Sequence, residues 1–171
     1  MTARMLTPED LVEIELIKRA KYAYFRCLDL KQWDEIAELF TEDASASYGG
    51  GAYAFEGRDA IVTFFRKAMG RENFLSSHKA HHPEIEITGP DTATGVWALE
   101  DIVIDLQWEL DIRGAAFYED DYVKVGGVWK ISQTRYKRVF EEISSRAGRP
   151  GLQVTASYWE TGGRSSLPGP E

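Results

Sequence analysis

The sequence has 171 residues, enough for one domain with a buried core, and 43% of them are hydrophobic, a composition that excludes intrinsic disorder. Its net charge of −8, with scattered basic residues, argues against nucleic acid and an anionic membrane surface as partners. The single cysteine, Cys27, cannot form an intramolecular disulfide, and we find neither signal-peptide character at the N-terminus nor an apolar run of membrane-spanning length, so we expect a cytoplasmic protein.

A long first helix is predicted near the N-terminus. Thr7 followed by Pro8 is typical of a helix start, and we expect the helix to run to about Leu28. Its apolar side chains recur every three or four residues and form one buried stripe, namely Leu11, Ile14, Ile17, Ala20, Tyr24 and Cys27 or Leu28.

Shorter elements follow the first helix. We predict helices over 33–40 and 58–69, with Gly70 as the C-terminal cap of the second of them. Two short strands, over 44–48 and 52–55, are expected to flank a turn of three glycines.

The C-terminal half is rich in β-branched and aromatic residues separated by turn signals. It predicts four strands, over 78–87, 92–106, 113–125 and 128–140. Helices followed by an antiparallel meander indicate an α+β fold with the helices on one face of a curved sheet. We expect residues 1–144 to form this domain and 145–171, rich in Gly, Ser and Pro, to form a C-terminal arm that is docked or flexible.

The hairpin between the first two long strands carries a candidate site. If the chain reverses between Gly89 and Pro90, His78 lies opposite Asp101 and both side chains share one face. Trp97 lies on that face too, so an ionised Asp101 needs a partner there. Because a carboxylate that accepts from an imidazole is a standard way to orient a general base, we predict a His78–Asp101 pair.

A second register follows from the tight turn at Gly126-Gly127. It places Tyr136 opposite Phe117, with Arg138 on the same face. Arg138 would thus emerge from an aromatic patch, where its planar guanidinium suits an anion or a carbonyl group.

Each candidate also has a structural alternative. Tyr24 can be a core residue whose phenol finds a partner, and a His78–Asp101 contact can be a structural hydrogen bond. Arg138 can simply pair with Asp29 or with an exposed acid. The segment HKAHH suggests a metal site, but adjacent strand histidines point to opposite faces, so we predict no metal.

Several segments together resemble the SnoaL-like superfamily, with residues 10–143 covered. They are KYAYFRCLDLKQWDEIAELF, SHKAHHPEI, TATGVWALED and GGVWKISQTRYKRVFEE. Within the superfamily these motifs are most similar to those of the bile-acid 7α-dehydratases and, more distantly, the scytalone dehydratases. The resemblance implies a cystatin-like α+β barrel of the nuclear-transport-factor type, with three N-terminal helices packed on a strongly curved antiparallel or mixed sheet, and a homotrimer.

The resemblance also implies a set of functional residues. The positions that match are Tyr24, Asp29, His78, Asp101 and Arg138. In that chemistry His78 abstracts the proton or passes it to the leaving hydroxyl, and Asp101 holds His78 in the right tautomer. Tyr24 donates a hydrogen bond to the carbonyl oxygen or the leaving group. Asp29 and Arg138 would pair and shape the pocket, or Arg138 would meet a polar end of the substrate. We expect further pocket contacts from Trp97, Phe117 and Tyr136.

The resulting functional hypothesis is a lyase that needs neither a metal nor an organic cofactor. It would remove water from a hydrophobic, polycyclic, steroid-like or aromatic hydroxy-ketone. Two alternatives remain open. The same base can serve a ketosteroid-type isomerase or a polyketide cyclase, or the fold can be a non-catalytic small-molecule binder.

Overall fold

A computed structural model describes residues 5–165 of the chain. The first helix, α1, spans Pro8–Asp29 and begins as predicted. The Thr7 side chain accepts a hydrogen bond from the Asp10 backbone, and the Asp10 carboxylate accepts one in return from the Thr7 backbone, at 2.8 Å. This capping box satisfies two backbone donors that the helix itself leaves unpaired.

The second helix is shorter than predicted. It spans Trp33–Glu38 (α2), because Phe40 already begins the first strand, Phe40–Tyr48 (β1), where its ring is fully buried. A single 3₁₀ turn over Gly49–Gly51 leads into Tyr53–Glu56 (β2). The third helix, Arg58–Met69 (α3), matches the prediction and is capped by Gly70.

Three of the four long strands extend beyond their predicted bounds at one end or both, and the second of the four ends one residue earlier than predicted. The four are Phe74–Gly89 (β3), Thr92–Asp105 (β4), Leu110–Val125 (β5) and Val128–Ser145 (β6). Within residues 5–165 the six strands form one sheet in the order β2-β1-β6-β5-β4-β3, with β1 parallel to β6 and the other pairs antiparallel. The α+β class with three helices on a mixed sheet is confirmed, but the sheet ends in two edges, so it does not close into a barrel.

The helices cover one face of the sheet, and the core lies between them. Alternate residues of β4, including Trp97 and Leu99, point into this core. Charged side chains are buried among the apolar ones, among them Lys21, Asp101 and Asp120. Because an ion is costly to bury without a partner, each of these marks a specific polar contact.

The outer face of the sheet carries exposed apolar side chains, and the C-terminal arm contacts the domain. Outward side chains of β5 and β6 are half-exposed and apolar, notably Phe117 and Phe140. In the arm, the Trp159 ring lies 5.0 Å from Lys31 Nζ, so this part of the arm contacts the domain close to the C-terminal end of α1. Within residues 5–165 no helix is both long and apolar enough to cross a membrane.

Candidate active site

A histidine–aspartate pair forms where the end of α1 meets the beginning of β3. His78 Nδ1 lies 2.6 Å from Asp29 Oδ1, and the His78 backbone donates to Asp29 Oδ2 at 2.8 Å. The Ser76 hydroxyl donates to Asp29 Oδ1, also at 2.8 Å. Three contacts therefore hold one carboxylate against the imidazole. The predicted partner of His78 was Asp101, and that prediction is wrong: Asp29 orients the ring.

The environment of Asp29 keeps it ionised. Burial by itself would raise the pKa of this carboxyl, but the hydrogen bonds and charge of His78 and the hydrogen bond from Ser76 outweigh it and hold the pKa below its ordinary value. An ionised Asp29 beside Nδ1 favours the tautomer with the proton on Nδ1. Nε2 of His78 is then left as the basic nitrogen.

Asp101 lies opposite His78, as the hairpin register predicted, but its side chain has another partner. The β3–β4 register pairs His78 with Asp101. The Asp101 carboxylate accepts two hydrogen bonds from Arg138, one to Oδ1 from Nη1 and one to Oδ2 from Nη2 at 3.0 Å. Burial disfavours charge on Arg138, yet Asp101 more than offsets this and holds the pKa of Arg138 above its ordinary value. The bidentate pair satisfies a carboxylate that is only 3% exposed.

Arg138 reaches Asp101 because β6 contains bulges that were not predicted from the sequence. One extra residue, Ser132, lies between the pairs Tyr122–Ile131 and Asp121–Gln133, so the register after it shifts by one. Tyr136 consequently faces Tyr118 rather than Phe117. Phe117 points to the outer face and is 50% exposed, so its predicted pairing with Tyr136 in the pocket is wrong.

Gly114 lies opposite Asp101 on β5 and gives Arg138 the space it occupies. A β-carbon at Gly114 would be 2.8 Å from both Arg138 Nη1 and the Phe140 carbonyl oxygen. We expect Gly114→Ala to lower the free energy of unfolding by about 1–3 kcal/mol, the usual cost of overpacking. Urea unfolding measures this change, and a midpoint equal to that of the wild type would contradict it.

A tyrosine-rich cavity of about 140 Å³ adjoins His78. Within residues 5–165 its lining includes His78, apolar side chains of α1 and α3, and five tyrosines, Tyr24, Tyr48, Tyr53, Tyr118 and Tyr136. The Tyr24 and Tyr48 hydroxyls are 3.4 Å apart. Burial raises the pKa of both phenols well above their usual range, so both stay protonated as hydrogen-bond donors.

Apart from Phe117, which lies on the outer face, the predicted residues separate into three groups. Tyr24, His78 and Tyr136 line the cavity, and Asp29 supports His78 from outside it. The Asp101–Arg138 pair lies behind Tyr136, with the guanidinium carbon 5.2 Å from the centre of that ring. Trp97 is fully buried and donates from Nε1 to the Tyr122 hydroxyl at 3.0 Å, and it does not line the cavity.

Two features of this region were not predicted from the sequence. Tyr48 ends β1 with its hydroxyl beside that of Tyr24, and no local pattern links the two residues. The ion pair between Lys21 and Asp120 is fully buried. A signal for it existed, because Lys21 falls on the buried stripe of α1 at the position between Ile17 and Tyr24.

The histidine-rich segment does not form a metal site in the part of the chain that is described. Within residues 5–165 no group of three or more His, Cys, Asp or Glu side chains is placed to hold a metal ion. His82 lies within a bulge of β3 and has a φ of 46°, and His81 Nε2 lies 3.8 Å from Glu100 Oε2.

Comparison with known proteins gives a family match over most of the chain. The sequence profile of the SnoaL-like domain matches residues 9–135. This range contains Tyr24, Asp29, His78 and Asp101, whereas Arg138 lies beyond its end.

Solved structures with the same fold include several bacterial proteins. A candidate scytalone dehydratase from Novosphingobium aromaticivorans is 26% identical, with a TM-score of 0.74 over 84% of this chain and 99% of its own. The hexachlorocyclohexane dehydrochlorinase LinA-type3 from Novosphingobium barchaimii is 18% identical, with a TM-score of 0.70 over 81% of this chain and 92% of its own. ActVI-ORFA from Streptomyces coelicolor is 12% identical, with a TM-score of 0.64 over 74% and 96%. The last two show the fold alone.

Proposed function

The chain belongs to the SnoaL-like family, and from this premise we propose that it is a lyase that removes water from a small cyclic hydroxy-carbonyl compound. The observation that carries the proposal is the Asp29–His78 pair, whose imidazole lines a cavity rich in tyrosine hydroxyls. A base and neutral donors around one apolar cavity suit proton abstraction beside a carbonyl group. The name of the 26% identical relative, a candidate scytalone dehydratase, agrees with this reaction class.

The proposed reaction uses the residues in turn. His78 Nε2 takes a proton from the carbon beside the carbonyl, while Asp29 stabilises the imidazolium that forms. Tyr24 and Tyr48 donate hydrogen bonds to the oxygen on which negative charge develops. The imidazolium then returns the proton to the hydroxyl on the next carbon, the carbon–oxygen bond breaks, and an enone and water leave. The proton taken from carbon thus departs with the water.

The volume of the cavity limits the size of the substrate that can bind beside His78. Its volume of about 140 Å³ is close to the roughly 150 Å³ of an engineered protein cavity that binds benzene. One six-membered ring fits beside His78. We propose that the remainder of a larger substrate, such as the polycyclic compound expected from the resemblance, extends past Tyr53, which lines the cavity and is 56% exposed.

A panel of β-hydroxy-ketones tests the proposal. We expect the absorbance of a new enone with single-ring hydroxy-cyclohexanones and hydroxy-naphthalenones, and slower turnover with 3-oxo-hydroxysteroids. Movement of a double bond without loss of water would indicate the isomerase alternative. Ligands that raise the melting temperature but are never converted would indicate a binding protein. No turnover of any member would contradict the lyase.

The assembly expected from the resemblance remains a proposal. The half-exposed apolar side chains on the outer face of the sheet, Phe117 and Phe140, provide the surface that supports a homo-oligomer. The cytoplasmic location and a close relation to the bile-acid 7α-dehydratases likewise remain predictions of the sequence.

A further inference from the structure

A buried ion pair links the middle of α1 to the sheet, directly behind the candidate active site. Lys21 Nζ lies 2.7 Å from Asp120 Oδ2, and both side chains have zero exposure. Asp120 also accepts hydrogen bonds at 2.7 Å from the hydroxyls of Thr134 and Tyr122. Three groups from different parts of the chain therefore hold this carboxylate of β5 in place.

The ammonium group of Lys21 makes its other contacts with aromatic rings. Nζ lies 3.8 Å from the ring centre of Tyr118, 4.6 Å from that of Tyr24 and 5.1 Å from that of Phe25. A desolvated cation at these distances is attracted to the ring faces. Lys21 thus packs against three rings at once.

Those three rings build the site. Tyr24 and Tyr118 line the cavity, and Phe25 stacks on the His78 imidazole with ring centres 6.1 Å apart and an angle of 15° between planes. Lys21 also precedes Asp29 on the same helix by about two turns. Any rotation or slip of α1 against the sheet would displace the Tyr24 hydroxyl and the Asp29 carboxylate together.

We propose that Lys21 and Asp120 are positioning residues that hold α1 and its aromatic side chains in the register the reaction needs. The proposal rests on the proposed lyase function. Stability is a weak explanation for the pair, because replacing a buried ion pair with uncharged residues of similar volume is often neutral or stabilising. Placement of the reacting groups is a stronger one, since a displacement of 1 Å can lower a rate about 100-fold.

The test compares two ion pairs that link the same elements. In Lys21→Met/Asp120→Asn both charges are removed together, so that no buried charge is left without a partner. The control is Lys124→Met, which breaks the 2.7 Å ion pair between Lys124 of β5 and Glu13 of α1. Glu13 lies near the N-terminal end of the helix, far along it from Asp29. We expect the double variant to keep a melting temperature near that of the wild type, to lose about 10–100-fold in kcat and to change KM less than twofold. The control should keep both constants.

A measurement without substrate separates this proposal from the function it rests on. The proton between His78 Nδ1 and Asp29 should give a low-field NMR signal, which we expect to shift or broaden in the double variant but not in Lys124→Met. An unchanged signal together with wild-type kcat would overturn the positioning role, as would equal changes in the control. If the wild type converts no panel substrate, the lyase proposal fails, and the NMR comparison alone still decides the positioning role.

Discussion

Replacing His78 with alanine is expected to lower kcat by about 10²–10⁴-fold, the usual contribution of a positioned general base. The imidazole is the basic group of the cavity lining, and Asp29 holds it through Nδ1 at 2.6 Å. Steady-state rates on the best panel substrate measure the loss. His81→Ala is a matched control, because His81 lies three residues further along β3 with a half-exposed side chain outside the cavity, and it should keep the wild-type rate.

Asp29→Asn should also lower kcat substantially, with the fold retained. Asparagine is nearly isosteric but cannot supply the negative charge that orients the imidazole and stabilises the imidazolium. Because the pKa of Asp29 is lowered in the folded protein, its contribution to stability is present above its unfolded pKa and is lost as the pH falls through its lower folded value. If His78→Ala or Asp29→Asn retained the wild-type kcat, the proposed mechanism would be wrong.

Replacing Arg138 with methionine is expected to destabilise the protein by about 3 kcal/mol. Asp101 is 3% exposed and would be left without a cation, and breaking such a buried pair is strongly unfavourable. Urea unfolding with a linear extrapolation measures the loss. The double variant Arg138→Met/Asp101→Leu should recover much of the stability, because it removes the uncompensated carboxylate as well.

The chain offers a matched pair as the control for Arg138. Arg113 of β5 bonds Glu142 of β6 at 2.9 Å, but their side chains are 68% and 54% exposed. Surface pairs of this kind contribute about 0–1 kcal/mol, so Arg113→Met should change the free energy of unfolding by less than about 1 kcal/mol. Equal losses in Arg113→Met and Arg138→Met would show that burial of Asp101 is not the cause.

Local signals account for the parts of the fold that the sequence predicted. The start of α1, the buried positions of its C-terminal half and the full extent of α3 follow from capping residues, helix periodicity and Gly70. Leu11, the first residue of the predicted buried stripe, is 57% exposed, so that part of the prediction is wrong. The strand ends were less predictable, because β3 begins at Phe74 and β6 continues to Ser145, where polar residues still pair with neighbouring strands.

The pairing of His78 with Asp101 was predicted correctly, although the turn differs from the one assumed. Near the turn Gly89 pairs with Thr92, which would place His78 two positions away from Asp101. Two bulges, each adding one residue to β3, restore the pairing. The predicted faces of His78 and Asp101 would have been right even without the bulges, because a shift of two residues leaves each side chain on the same face.

By itself, the sequence determined the fold class, most of the buried positions of the helices and which positions of β4 point inward, because these follow from periodicity and turn chemistry along the chain. Only the tertiary structure decided which carboxylate holds His78. Asp29 lies 49 residues before His78 and reaches it by the packing of α1 on β3, a contact that no periodicity encodes. The bulge at Ser132 likewise turns the side chains of Tyr136 and Arg138 inward. Asp101 therefore pairs with Arg138 and not with the predicted partner, His78.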